Sequence, residues 1–112
     1  MVNNTVMTND VLERLIYLIH SKRTECKEKS YTRQLFDAGL QHCAKKLGEE
    51  AVETAIAGIT QTDEDLVSET ADLVYHLLVL LEIREVHFYD VLDVLEQRMG
   101  TSGIDEKASR TN

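Results

Sequence analysis

Two acidic segments, KKLGEEAVE at residues 45–53 and ETADLVYH at residues 69–76, hold the side chains best suited to chemistry. On a helix, at about 100° per residue, Glu49 and Glu53 project about 40° apart and Glu50 about 100° from Glu49. Glu69, Asp72 and His76 fall within about 60° of one another by the same geometry. Both acidic groups border the apolar arc of their helix, so face-to-face packing brings Glu49, Glu50, Glu53, Glu69 and Asp72 toward the edge of one core. Carboxylates crowded in this way repel and lose hydration; they need protons, cationic partners or a metal ion. A set of oxygen ligands suits hard ions such as Mg²⁺ or Mn²⁺ rather than zinc. An ion shared between protein carboxylates and phosphates lets an acidic protein bind a polyphosphate, polarises phosphorus and lowers the pKa of an attacking water. Taken one helix at a time, E-E-x-x-E also fits a solvated face, with Lys46 paired to Glu49 or Glu50 for roughly 0.2–0.5 kcal/mol each. Acidic groups beside apolar arcs on two successive helices favour the metal reading.

The elements that position these groups are helical. The 112 residues suit a single domain spanning 1–112, and a chain with no proline and five glycines lacks the turn signals of a strand-rich fold. Residues 1–8 are expected to be disordered, with Asn9 or Asp10 capping a first helix. Leu12, Leu15, Ile16 and Ile19 form its apolar face, and it should end in the charged stretch 22–29. Ser30-Tyr31-Thr32 opens a loop or a short helical turn, with Gly39 as the stop. A second long helix is predicted over about 40–59, its apolar positions Ala44, Ala51, Val52, Ala55, Ile56 and Ile59. Gly48 inside it costs about 1 kcal/mol relative to alanine, which implies close helix packing or room for a ligand. Thr62 and Asp65 form a capping pair for a third helix over about 63–85. The second half of that helix, HLLVLLEI, is apolar on nearly every side, and so small a domain has little interior to cover it. A partner subunit over residues 73–83 is therefore expected. A fourth helix over 89–99 carries Val91, Leu92, Leu95 and Met99 on one face and ends at Gly100, and the polar tail 101–112 is expected to be mobile.

The formal net charge of −8 argues against nucleic acid or an anionic membrane as partner, while leaving room for an anionic small molecule bridged by a cation. The longest apolar run, 77–81, is too short to cross a bilayer, and the polar start has no apolar signal segment. Cys26 and Cys43 have no C-x-x-C spacing and read as reduced thiols. A soluble cytoplasmic protein is the expectation. Arg33, Lys45 and Lys46 are cations available to phosphates, Lys45 being the one best explained as a solvated surface charge. His76 reads as a structural histidine before a general base, and as a metal ligand least of all beside hard oxygen donors.

KKLGEEAVETAIAG followed by ETADLVYHLLVLL resembles the core of the phosphoribosyl-ATP pyrophosphatase family. SYTRQLFDAG before it and GTSGIDEKASR after it are similar to that family's flanking segments, so the likeness covers about residues 30–110. The pattern E-E-x-x-E then E-x-x-D is shared with the wider all-α nucleotide pyrophosphohydrolases, including MazG-like proteins, and the flanks point to this branch. The resemblance implies an all-α homodimer of four-helix-bundle type, with helices of two subunits packing together. It implies Mg²⁺-dependent hydrolysis of phosphoribosyl-ATP to phosphoribosyl-AMP and pyrophosphate, the second step of L-histidine biosynthesis. Glu49, Glu50, Glu53, Glu69 and Asp72 match its metal-binding acids, with Glu50 and Glu53 expected to be essential, and Lys46 matches the lysine before the paired glutamates. Lys107 and Arg110 would fold over the substrate, against the alternative of simple disorder. Apart from the resemblance, the residue type of Tyr31 and Tyr75 allows stacking on adenine, with packing at the core or rim the favoured reading. Many relatives carry a fused cyclohydrolase, for which 112 residues leave no room. The competing readings are a general nucleoside-triphosphate pyrophosphohydrolase and a non-catalytic helical dimerisation module with an acidic surface.

Overall fold

The computed structural model describes the backbone of residues 2–24 and 30–100 and the side chains of 11–24 and 30–100. Among the described residues five helices follow one another: α1 (Val2–Thr24), α2 (Tyr31–Ala38), α3 (Leu40–Thr60), α4 (Asp63–Ile83) and α5 (Phe88–Met99). Among the described residues there is no strand, so the all-α expectation holds. The helix starting at Asn9 or Asp10 is corrected: α1 begins at Val2, which extends the apolar-faced segment by two turns of polar sequence.

Local chemistry sets the remaining boundaries. The Ser30 hydroxyl accepts the Arg33 N–H at 3.1 Å and opens α2. Gly39 closes α2 and opens α3 at φ 98° and ψ 174°, a conformation in which a side chain is strained. The Thr62 hydroxyl accepts the Asp65 N–H at 3.1 Å, and Asp63, Glu64 and Asp65 lie at the positive end of α4. Gln61 and Thr62 alone connect α3 to α4, so the two form a tight helical hairpin, which is the dominant packing pair of the fold.

α4 ends differently. Val86 donates to the Leu81 carbonyl and Glu85 to the Glu82 carbonyl, both at 2.9 Å, the two bonds of a Schellman motif. Glu85 occupies its left-handed position at φ 57°, where glycine is the unstrained residue. Glu85→Gly should therefore raise stability by about 1 kcal/mol, read as an increased Tm. The Arg23–Glu85 pair lost with it, at 3.4 Å on an exposed carboxylate, contributes little.

The core gathers Ile19 of α1, Leu35 of α2, Cys43 of α3 and Leu78 and Val79 of α4. Leu12, Leu15 and Ile16 pack against it, so the expected apolar face of α1 turns inward. The far end of α4 is tied to α1 by Glu82, which accepts from Arg23 at 2.9 Å and lies 2.8 Å from His20 Nδ1. Residues 73–83 find much of their cover within the chain: His76, Leu78 and Val79 are buried and the rest are half-buried. The uncovered apolar surface lies elsewhere. All six apolar positions predicted to face the core from α3 are exposed, Val52, Ile56 and Ile59 at 59, 48 and 83%. The inner face of α3 is instead Cys43, Leu47, Glu50, Thr54 and Ala57, the set that shares a stripe at helical spacing. α5 has no buried residue and holds to α1 through the Tyr89 hydroxyl, which donates to Glu13 at 2.8 Å.

Candidate active site

The hairpin register brings the acids together. Thr54, one turn after Glu50 on the inner face of α3, places its hydroxyl 2.8 Å from the Glu50 carbonyl and 3.0 Å from the Glu69 carbonyl of α4. This contact fixes α3 against α4 at the level where the two acidic motifs meet. Carboxylate oxygens of Glu50, Glu69 and Asp72 lie within 4.8 Å of one another. Glu53 stands next to Glu50 and Glu69 and acts on the ionisation of both. It also shares with Glu69, Ile56 and Gln61 the wall of a hollow of about 240 Å³ that opens to solvent. Glu49 turns away from the three and pairs with Lys46 at 3.4 Å. Four of the five predicted acids thus share one locality, three of them at ligand spacing.

Desolvation and the neighbouring acids dominate the electrostatics of the cluster. Burial, with Glu50 only 9% exposed, is the first cause raising its pKa above the ordinary carboxylate value, followed by Glu53 and Asp72. Glu69 is pushed in the same direction by desolvation and by Glu53 and Asp72. One oxygen of each, Oε2 of Glu50 and of Glu69, is buried without a hydrogen-bond partner. Buried, unpaired carboxylate oxygens are costly, and a hard divalent ion at the point where Glu50, Glu69 and Asp72 converge would satisfy them. The residues present therefore fit such an ion.

Behind the acids lies an aromatic wall. His76 is buried, with Nε2 3.9 Å from Glu50 Oε1. Burial lowers its pKa, with Lys46 acting in the same direction and Asp72 against it, so the surroundings disfavour the charged ring. Tyr75 and Tyr31 meet the His76 ring edge-on, at centroid separations of 5.1 and 5.9 Å. The Tyr75 hydroxyl is hydrogen-bonded to Thr32. Lys46 has a raised pKa, first through Glu49 and then through Tyr31.

The other predicted residues separate. Arg33 is engaged in the framework: NH1 donates to the Arg23 carbonyl near the end of α1 at 2.9 Å, and Nε pairs with Asp37 at 3.2 Å. The bond to the Arg23 carbonyl braces α2 against α1. Lys45 is exposed, as its solvated reading requires. Cys43 is a free, buried thiol donating to the Leu35 carbonyl at 3.2 Å. Cys26, Lys107 and Arg110 lie outside the described residues. Gly48 sits on the outer face of α3, where an added Cβ would meet nothing within 4 Å. Close packing within the chain thus does not account for it. Thr54 was missed by the motif reading; its signal was the i,i+4 spacing from Glu50.

Residues 12–99 match the Phosphoribosyl-ATP pyrophosphohydrolase family. The phosphoribosyl-ATP pyrophosphatase of Erythrobacter litoralis is 48% identical over 101 residues, 90% of this chain and 97% of that protein. Phosphoribosyl-ATP pyrophosphatase 1 of Bradyrhizobium diazoefficiens is 53% identical over 83 residues, 74% of this chain and 78% of that protein. The phosphoribosyl-ATP pyrophosphatase of Rhizobium meliloti is 45% identical over 106 residues, 95% of this chain and 99% of that protein. The matched span contains both acidic helices, the inner-face threonine that joins them and the aromatic wall behind them, and the chain belongs to the phosphoribosyl-ATP pyrophosphohydrolase family.

Proposed function

We propose that the chain hydrolyses phosphoribosyl-ATP to phosphoribosyl-AMP and pyrophosphate, the second step of L-histidine biosynthesis, as a Mg²⁺-dependent cytoplasmic enzyme. The observation that carries this reading is the convergence of Glu50, Glu69 and Asp72, with two buried oxygens unpaired, in a chain of this family. Those three residues would hold Mg²⁺, with Mn²⁺ as a substitute. A bound divalent ion supplies charge neutralisation at the phosphates and a lowered pKa for water. Glu53, beside the cluster and open to solvent, is suited to orient the attacking water and accept its proton. Water oxygen bonds to the α phosphorus as the bond to the bridging oxygen breaks, and pyrophosphate leaves. Lys46, steered by Glu49, offers its ammonium to the phosphate chain beside the acids.

The deciding assay is pyrophosphate release from phosphoribosyl-ATP across a Mg²⁺ titration, set against ATP and deoxynucleoside triphosphates. Preference for phosphoribosyl-ATP supports the proposal. Equal or better turnover of ordinary triphosphates would make the chain a general pyrophosphohydrolase, and no release at all leaves the dimerisation-module reading.

Two further parts belong to the proposal. The chain acts as a homodimer through the uncovered stripe of α3, where Gly48 admits close approach and Val52, Ile56 and Ile59 supply apolar surface. Lys107 and Arg110 reach the substrate phosphates. Deleting residues 101–112 should then lower turnover at least tenfold while leaving the melting temperature within about 2 °C. Equal turnover by truncated and full-length proteins would refute that role.

A further inference from the structure

We propose that Tyr31 is a specificity residue whose outer ring face stacks on the substrate's purine, an inference that rests on the phosphoribosyl-ATP reading above. Tyr31 is half exposed, while its inner side stacks on Tyr75 at 6.2 Å and an interplanar angle of 24°. An aromatic side chain stacked on one face and open on the other presents a flat apolar surface that solvent does not stabilise.

The surface is held in place. Tyr31 is the first residue of α2, anchored by the Ser30 cap and by the Gln34 N–H donating to the Ser30 carbonyl at 3.0 Å. The backing ring of Tyr75 is pinned through its hydroxyl to Thr32 on α2 and by its edge contact with His76. Tyr75 is thus the packing member of the pair and Tyr31 the presenting one. A stacking surface that is already ordered loses little entropy on binding.

The surface also lies at a useful position. Tyr31 contacts His76, and His76 lies 3.9 Å from Glu50, so the aromatic wall runs from the acid cluster to the exposed ring. Lys46 lies within electrostatic reach of Tyr31 and borders Glu49 and Glu50. A nucleotide with its phosphates at the acids and Lys46 would carry its base outward along this wall. Stacking reads a ring and not a phosphate, so Tyr31 would select for a base-bearing triphosphate.

The test compares wild type, Tyr31→Ala and Tyr31→Phe. With phosphoribosyl-ATP, Tyr31→Ala should raise KM about tenfold with kcat within about twofold, and Tyr31→Phe should restore the wild-type KM. Inorganic tripolyphosphate, which has phosphates and no ring, should inhibit all three proteins equally. A second readout does not depend on turnover. The chain has four tyrosines and no tryptophan, so its emission comes from tyrosine, and Mg-ATP should quench it in wild type and markedly less in Tyr31→Ala. An unchanged KM in Tyr31→Ala, or equal weakening toward tripolyphosphate, overturns the inference while wild-type turnover keeps the function reading intact. Wild-type failure on phosphoribosyl-ATP sinks the function reading instead, and undiminished quenching in Tyr31→Ala then overturns the stacking as well.

Discussion

Glu50→Gln should lower pyrophosphate release by about 10²–10³-fold while raising the melting temperature of the metal-free protein. The two effects share one cause. Glu50 is the most deeply buried of the acids, it faces Glu53 and Asp72, and one of its oxygens has no partner. An amide keeps the shape, removes the buried charge and offers N–H groups to the neighbouring carboxylates, a gain of about 1 kcal/mol. The same change removes a ligand charge and weakens Mg²⁺ binding with it. A structural ion-pair network predicts the reverse order, because deleting one acid would strand a cation and cost stability first.

The pH dependence supplies an independent reading. The folded-state pKa values of Glu50 and Glu69 lie above their unfolded values, so the metal-free folded chain binds protons more tightly than the unfolded one. The contribution of these two groups to stability is then greatest below the ordinary carboxylate pKa and declines as pH rises from there through the raised folded values. Glu50→Gln should flatten that decline in melting curves recorded with chelator. Wild-type turnover and unchanged Mg²⁺ dependence in both Glu50→Gln and Asp72→Asn would dismiss the assignment.

Ile59→Lys should convert a micromolar dimer into a monomer. Ile59 is 83% exposed within the chain, so a lysine there meets water and disturbs no contact of the isolated subunit. Across a dimer interface the same substitution forfeits the burial of an isoleucine, about 1.5–3 kcal/mol, and adds the desolvation of an ammonium. The dissociation constant should rise at least a hundredfold by that sum, visible in sedimentation velocity, with a lowered Tm because association stabilises only the folded state. Wild type that sediments as a monomer at micromolar concentration would remove the homodimer proposal, and an Ile59→Lys protein still dimeric would move the interface off this stripe.

Much of the architecture was legible because punctuation and motif agreed. Ser30, Gly39, Thr62 and Gly100 sit at helix ends, as their turn and capping chemistry dictates. The acidic locality was legible for a related reason: Glu50 with Glu53 and Glu69 with Asp72 lie one turn apart on successive helices, and a two-residue connection sets those helices side by side. The sidedness of α3 was not legible. Its apolar arc looked like the core-facing side, yet the hairpin buries the stripe of Cys43, Leu47, Glu50, Thr54 and Ala57 and leaves the arc uncovered. Periodicity reports that a face is apolar and not which surface will cover it. Nor does a cation's type disclose the partners it will take, as with the Arg23 carbonyl and Asp37 at Arg33. The start of α1 was missed because a polar segment without a cap signal leaves only tertiary context to extend it.

The site's residence on the α3–α4 hairpin also shapes how the chain reaches its fold. A helical hairpin with so short a connection is the lowest-entropy long-range packing available to the chain, and such local pairs tend to form the folding nucleus. Docking these two helices brings Glu50, Glu69 and Asp72 together, and desolvation and neighbouring acids oppose the charged forms of Glu50 and Glu69. With that hairpin as the nucleus, the same opposition would be met in the transition state as well as in the finished protein. A divalent ion that relieves it should act mainly on the folding limb of a chevron, accelerating collapse more than it retards unfolding. In the proposed Mg²⁺-dependent enzyme, the ion used for catalysis would thus also speed formation of the hairpin that holds it.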